Sequence, residues 1–302
     1  MRHLKAKDGT VNAIRCESES ELQTVINTYT LPTRWTVRSK GAIFYLVGNN
    51  AGGGGEIVLP EYQTILDYAT GQGYTLPGDA NQALQNSLLA ALKDAGIWDE
   101  LDYLYNFLTD GDANFARINW KNPAAYFAVQ GANASYASLT GFTGYGMTSP
   151  YLFNANGVKY VLNDCALFGD YSLATGSVDY NPLCGADGGP KNSIRVPRQA
   201  SPRVDQNGPN SSTAIQYGIF QNTETELYFH SYRGNSVESG IFLNGQASTG
   251  GNASTGLDTG TNNILPSGVV SGATVRMYGA GASLADKKED LYQIWSDYKT
   301  AV

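Results

Sequence analysis

The chain holds few residues in patterns that make or break bonds. Histidine occurs twice, as His3 and His230, so any Ser-His-Asp or Cys-His relay has to use one of them. No G-x-S-x-G elbow is present; Gly281-Ala282-Ser283 approaches it, but Ser283 is better explained as the cap of the last helix. Cys16, Cys165 and Cys184 are odd in number and lack C-x-x-C spacing. That argues against a disulfide framework and, with so few histidines, against zinc. They read as buried thiols, with a Cys165–Cys184 bridge as the alternative.

The carboxylates could serve two chemistries. Asp110, Asp112 and Asn114 stand at alternate positions, as in a calcium loop, but the sixth and twelfth positions are Phe115 and Lys121 rather than Gly and Glu. An EF-hand is excluded; a lectin-type calcium site and a plain polar turn both stay open, and the turn is the preferred reading. Glycan hydrolysis needs two carboxylates facing each other across roughly 5 to 9 Å. The E-x-D-x-x-E strand pattern is absent, Glu17, Glu19 and Glu21 stand at a helix start, and Glu224 and Glu226 share one strand face with nothing evident opposite. The expectation is a protein that is not an enzyme, with no metal and no cofactor.

One stretch suits binding. In E-T-E-L-Y-F-H-S-Y, Leu227 and Phe229 alternate with Glu226, Tyr228, His230 and Tyr232. Leu227 and Phe229 are expected in the core, and Tyr228, His230 and Tyr232 on an outer stripe where sugar C–H faces could stack on the rings. These three are the carbohydrate-binding candidates. The same stripe suits a subunit contact, given the enrichment of Tyr at interfaces, or an ordinary solvent face.

The elements that must hold these residues are mostly strands. Glycine numbers 35 and Tyr (20) outnumbers Phe (10), while charged residues are only 16%, a balance that points to short strands and tight turns. Net charge is −7, which opposes nucleic acid and anionic membrane as partners. No apolar run reaches 18 residues, and M-R-H-L-K-A-K-D-G has no apolar signal core, so the expectation is cytoplasmic synthesis without membrane insertion.

Along the chain, residues 1–48 read as a ββαββ module. Hairpins surround Asp8-Gly9 and Ser39-Lys40-Gly41, and a helix with Ser18 and Glu21 at capping-box spacing carries Leu22, Val25, Ile26 and Tyr29 on one face, ending at Pro32. Residues 49–58, with four consecutive glycines, read as a linker. Residues 59–102 form a helical segment: Pro60 to Thr70, then Asp79 to Ala95 with Gly96 as its C-terminal cap. From Tyr103 onward, short runs such as F-A-R-I-N-W, K-Y-V-L, N-S-I-R-V and T-V-R-M-Y-G-A predict strands, Asn244-Gly245 predicts a hairpin turn, and Gln246 to Asn263 predicts a loop. Residues 103–302 are therefore expected to form a β-sandwich or jelly roll closed by a helix carrying Leu291, Ile294, Trp295 and Tyr298.

L-K-D-A-G-I-W-D-E-L-D at 92–102, D-G-D-A-N-F-A-R-I-N-W-K-N-P at 110–123, G-F-T-G-Y-G-M-T-S-P-Y-L at 141–152 and the terminal G-A-S-L-A-D-K-K-E-D-L-Y resemble tailed-bacteriophage structural proteins with a concanavalin A-like, lectin-type β-sandwich. The resemblance covers about Leu59 to Val302. Many relatives read G-N-G where this chain has Gly144-Tyr145-Gly146. The resemblance implies a virion component of the tail, fibre or capsid surface, assembled in the host bacterial cytoplasm, and it offers no settled catalytic residues. The favoured role is binding a host surface polysaccharide, as a homo-oligomer attached to other virion proteins through residues 1–48. A purely architectural role and a polysaccharide depolymerase are the alternatives.

Overall fold

The computed structural model describes residues 2–5, 11–16, 18, 20, 35–40, 43–48, 58–173, 182–186, 191–195, 204–211, 214–217, 225–251, 253–257, 260, 262–265 and 273–302. The chain divides into two compact units, Met1–Val58 and Leu59–Val302. In the first, strands β1 (Arg2–Lys5), β2 (Val11–Cys16), β3 (Trp35–Lys40) and β4 (Ile43–Gly48) form one antiparallel sheet in the order β1-β2-β4-β3. The expected Leu22–Tyr29 helix and most of the glycine linker lie outside the described residues.

The second unit opens with helices α1 (Pro60–Gly71) and α2 (Asp79–Asp94). Pro60 occupies the first turn of α1, where its missing N–H costs nothing. Tyr62, Ile65, Leu66 and Ala69 make the buried stripe. The polar residues buried on α2 are matched: Asn86 Oδ1 accepts from Leu59 N (2.8 Å), and Gln85 accepts from the Tyr62 hydroxyl (2.9 Å) while donating to Thr109 Oγ1 (2.9 Å). Gly96, at φ +65°, ends α2 as expected.

Strand β5 (Leu101–Asn106), the single turn α3 (Ala113–Ala116), β6 (Asn133–Ala137), β7 (Gly141–Tyr145), β8 (Met147–Ser149), the turn α4 (Phe153–Asn156) and β9 (Cys165–Ser172) follow. Then come β10 (Pro182–Ala186), β11 (Lys191–Arg195), β12 (Val204–Ser211), β13 (Ala214–Tyr217), β14 (Glu226–Arg233), β15 (Glu238–Leu243), β16 (Gln246–Gly251), β17 (Asn262–Leu265), β18 (Thr274–Gly281) and helix α5 (Lys288–Ala301). They make a mainly β, two-sheet sandwich. The larger sheet runs β16-β15-β14-β9-β18-β7-β6, with β5 sharing the free edge of β18 with β7, and the smaller runs β13-β12-β11-β10-β17-β8. All strand pairings are antiparallel.

Tyrosines tie the two sheets together. Tyr103 and Tyr278, from the larger sheet, meet Asn262 of β17: its amide donates to the Tyr103 oxygen (2.7 Å) and its carbonyl accepts from the Tyr278 hydroxyl (2.8 Å). Tyr171 donates to Ile264 O (3.0 Å), and Tyr105 pairs with Ser149 on β8 (2.8 Å). All four rings are buried, so each supplies core area and a satisfied hydroxyl, the latter contributing about 1 kcal/mol. A phenylalanine there would fill the space but leave Asn262 without partners. Tyrosine is thus required at these four positions for its hydroxyl as well as its ring.

The outer face of the larger sheet is covered as well. Helices α2 and α5 lie on it, with Leu88, Leu92, Leu104, Met277, Leu291 and Trp295 closing around a void of only about 10 Å³. Tyr298 on α5 donates to Leu108 O (2.7 Å) and accepts from Asn106 (3.0 Å). Among the described residues no helix is long and apolar enough to cross a membrane.

Four local expectations are corrected. F-A-R-I-N-W is not a strand: Asp112 Oδ1 accepts from Phe115 N (2.8 Å), capping α3, and a turn follows. K-Y-V-L forms only a bridge between Val161 and Asp164. Gln246–Gly251 is a strand, paired along Glu238–Leu243. Ser283 is not the cap of α5: Leu284 turns left-handed (φ +49°), Lys287 N bonds Leu284 O, and the helix begins a turn later at Lys288.

Candidate functional site

The sequence placed the functional stripe on β14, and the facing of that strand is as read: Leu227 and Phe229 lie in the core between the sheets. The other face is not open. Tyr228, His230 and Tyr232 are buried, at 2%, 0% and 9% exposure. The ring of Tyr292 on α5 stands 5.0 Å from that of Tyr228, and His230 Nε2 lies 2.9 Å from Ser283 O. The proposed platform of Tyr228, His230 and Tyr232 is thus corrected: α5 and the turn before it occupy the place a sugar would take. Burial holds the His230 imidazole down, to about 4, so the ring is neutral at pH 7.

The calcium-like triplet is also committed elsewhere. Asp110 accepts from Gly78 N (3.2 Å) and Asp112 from Thr75 N (2.9 Å), so the pair clamps the α1–α2 connection, while Asn114 holds Arg117. Among the described residues no group of three or more His, Cys, Asp or Glu side chains is placed to hold a metal ion. Cys165 and Cys184 are buried and form no disulfide, and burial pushes the Cys165 thiol up, away from the reactive thiolate.

An open concave feature lies at the other end of the same outer face. A cleft of about 280 Å³ is bordered by Leu139, Thr140, Ser172, Thr274, Arg276 and Lys299. Strands β9 and β18 set its floor, with β14 alongside. The register aligns Glu226 of β14 and Thr274 of β18 with Ser172 of the central β9. Between Val275 and Met277 the β18–β9 register shifts, leaving Arg276 as an extra residue. That bulge puts Arg276 and Met277 on the same outer side in succession: Met277 goes under the helices, and Arg276 is aimed into the cleft.

Arg276 and Lys299 meet two carboxylates. Arg276 Nε lies 2.7 Å from Asp170 Oδ2, and its Nη2 contacts Glu226; Lys299 Nζ lies 3.3 Å from Asp170 Oδ1 and 3.2 Å from Glu226 Oε2. Asp170 has 0% side-chain exposure, whereas Glu226 has 52%. The two carboxylates hold Arg276 above the ordinary arginine range against the opposing effect of burial. The Arg276 and Lys299 cations draw Glu226 below the usual carboxylate range despite its partial burial. Both carboxylates therefore pair with cations, and Glu226 is held in its ionised form.

The rim carries a second irregularity. Leu139, at the tip of the β6–β7 hairpin, takes φ +54°, with its N–H bonded to Thr109 O (2.9 Å), and remains 43% exposed. Leucine adopts this conformation rarely. The cleft's members come from separated segments, so no local pattern marks it; Arg276 within T-V-R-M stands out in sequence only as a charge between apolar strand residues.

No protein-family model and no curated protein matches the chain. Among solved structures it is similar to Trypanosoma rangeli sialidase (12% identity, TM-score 0.46, covering 72% of this chain and 39% of that one). It is also similar to the botulinum neurotoxin serotype D binding domain (9%, TM-score 0.46, 67% and 52%). A third is domain 4 of AbnA, an arabinanase from Geobacillus stearothermophilus in complex with arabinotriose (12%, TM-score 0.40, 64% and 98%). The chain thus spans about two fifths of the sialidase and half of the toxin domain.

Proposed function

We propose that this chain is a non-catalytic recognition protein of a tailed-phage particle, with a lectin-like sandwich that binds a host surface glycan in the Leu139–Lys299 cleft. The observation that carries the binding role is the cleft itself. It is open, mixes apolar with hydroxyl and cationic groups, rests on paired strands, and its two neighbouring carboxylates are engaged by Arg276 and Lys299. The phage assignment rests on the sequence motifs at 92–102, 110–123, 141–152 and the C-terminal segment. A homo-oligomer attached through residues 1–48 belongs to the same reading.

The cleft lies at the small end of the range for ligand pockets, a size for one or two sugar rings. Affinity per site is then low, and many copies would act together. The test displays the chain multivalently against a panel of bacterial surface polysaccharides. Specific binding that disappears in Thr140→Trp, which fills the cleft from an exposed position, is the expected result. Absence of binding across the panel removes the adhesin role; binding that survives Thr140→Trp removes the cleft.

A further inference from the structure

We infer that the ligand of this cleft is an acidic sugar whose carboxylate takes the seat Glu226 now holds on Arg276 and Lys299. The inference rests on the glycan-binding reading above and names the ligand class.

The argument begins with charge. Two cations border the cleft, and among the described side chains Asp170 is the carboxylate buried beneath them. Asp170 compensates one positive charge. The other is compensated by Glu226, which stands at the first position of β14 with half its side chain in water. An ion pair at such exposure contributes little to stability and is screened by salt. Glu226 can therefore rotate into solvent at small cost, whereas Asp170 cannot.

Geometry comes next. With Glu226 turned away, the Arg276 Nη2 and Lys299 Nζ donors it engages both become free for one incoming carboxylate. A guanidinium fork with a neighbouring ammonium is a strong seat for such a group. Around it stand Thr140, Ser172 and Thr274, hydroxyls that can exchange hydrogen bonds with sugar hydroxyls, and the exposed Leu139 offers an apolar contact for ring C–H groups. A simple anion would use the cations alone; a neutral sugar would use the hydroxyls alone. An acidic sugar uses both sets. Glu226 then acts as an internal competitor for the ligand.

The experiment takes the full chain and the panel of bacterial surface polysaccharides, each acidic polymer in its native form and after carbodiimide-mediated reduction of its carboxylates to alcohols. Binding is expected only to native acidic polymers, at least tenfold weaker after reduction, and weaker in 300 mM than in 50 mM salt. Glu226→Gln is expected to bind the acidic polymers at least threefold more tightly, and Lys299→Met to bind them at least tenfold more weakly, with both variants checked for unchanged circular dichroism. Equal binding of native and reduced polymers, or hits among neutral ones, overturns the acidic-ligand inference while leaving glycan binding in place. Unchanged or weakened binding by Glu226→Gln overturns its role as competitor. No binding to any polymer overturns the glycan reading and this inference together.

Discussion

The outer face of the larger sheet has two ends, built by the same strands and treated in opposite ways. At one end Tyr228, His230 and Tyr232 present rings that would suit a ligand, and the protein spends them on its own C-terminal helix. At the other end Glu226, Asp170 and Arg276 make a charged patch that α5 approaches with Lys299 but leaves open. Adjacent side chains on one strand thus part ways: Glu226 lies half in water while Tyr228, two residues on, lies at 2% exposure. A strand's alternation tells which side a residue faces; what lies on that side is decided by elements far away in sequence.

The most forceful way to break the contrast is to remove the cover. Trp295 on α5 is 1% exposed and packs into the gap between α2, α5 and the sheet. Trp295→Ala is expected to destabilise the protein by about 4 kcal/mol, read as a lowered midpoint in urea unfolding. A variant with unchanged midpoint would mean that α5 does not secure this face.

The covered end should also betray itself through pH. His230 is held near 4 by burial, against an ordinary value of 6.5, with Lys288 pushing it further down and Glu289 and its bond to Ser283 O opposing. Between pH 6.5 and 4 the unfolded chain binds a proton that the folded chain refuses. The His230 contribution is therefore complete above 6.5 and shrinks as pH falls to 4, by about 3 kcal/mol in all. His230→Gln should flatten the stability slope in that window relative to the parent chain. Equal slopes would show that the ring is already exposed.

The open end responds differently. Asp170→Asn leaves Arg276, with 12% side-chain exposure, dependent on Glu226 alone. A loss of about 2 kcal/mol is expected, below the cost of breaking a fully buried pair because Lys299 and Glu226 reach water. Urea unfolding in low and high salt checks it: the loss should persist in high salt, since Asp170 is shielded from ions. A variant as stable as the parent would show that the network carries no weight.

How far was this legible beforehand? The two-sheet class, helices α1 and α2, and the facing of Leu227 and Phe229 follow from local pattern, since alternation and helical spacing are properties of neighbours. The Asn244-Gly245 turn follows too; both residues take positive φ. Gln246–Gly251 escaped notice because Q-A-S-T-G-G pairs through backbone alone, and backbone pairing leaves no apolar signature. Asp110 and Asp112 left a calcium site open beside the preferred polar turn because carboxylates that accept from backbone N–H groups of a loop can show the same spacing. The cleft was least legible. It depends on a bulge at Arg276 that turns one residue out of register, and a bulge is set by the partner strand.

The smallest effect separates the two ends most cleanly. Leu139 stands at φ +54° with 43% exposure on the cleft rim. Leu139→Gly removes the steric cost of that conformation, about 1 kcal/mol, and adds a similar conformational-entropy cost in the unfolded chain. Little apolar burial is lost, so the net change in stability should fall within about 0.5 kcal/mol of zero. Binding to the panel polysaccharides should nevertheless weaken, because the rim loses its exposed leucine beside the hydroxyls of Thr140 and Thr274. A leucine kept there solely for folding would give the opposite pair of results, lowered stability with unchanged binding. Folding and recognition read out independently at this residue, as they cannot at Tyr228 or His230, whose rings are part of the packing itself.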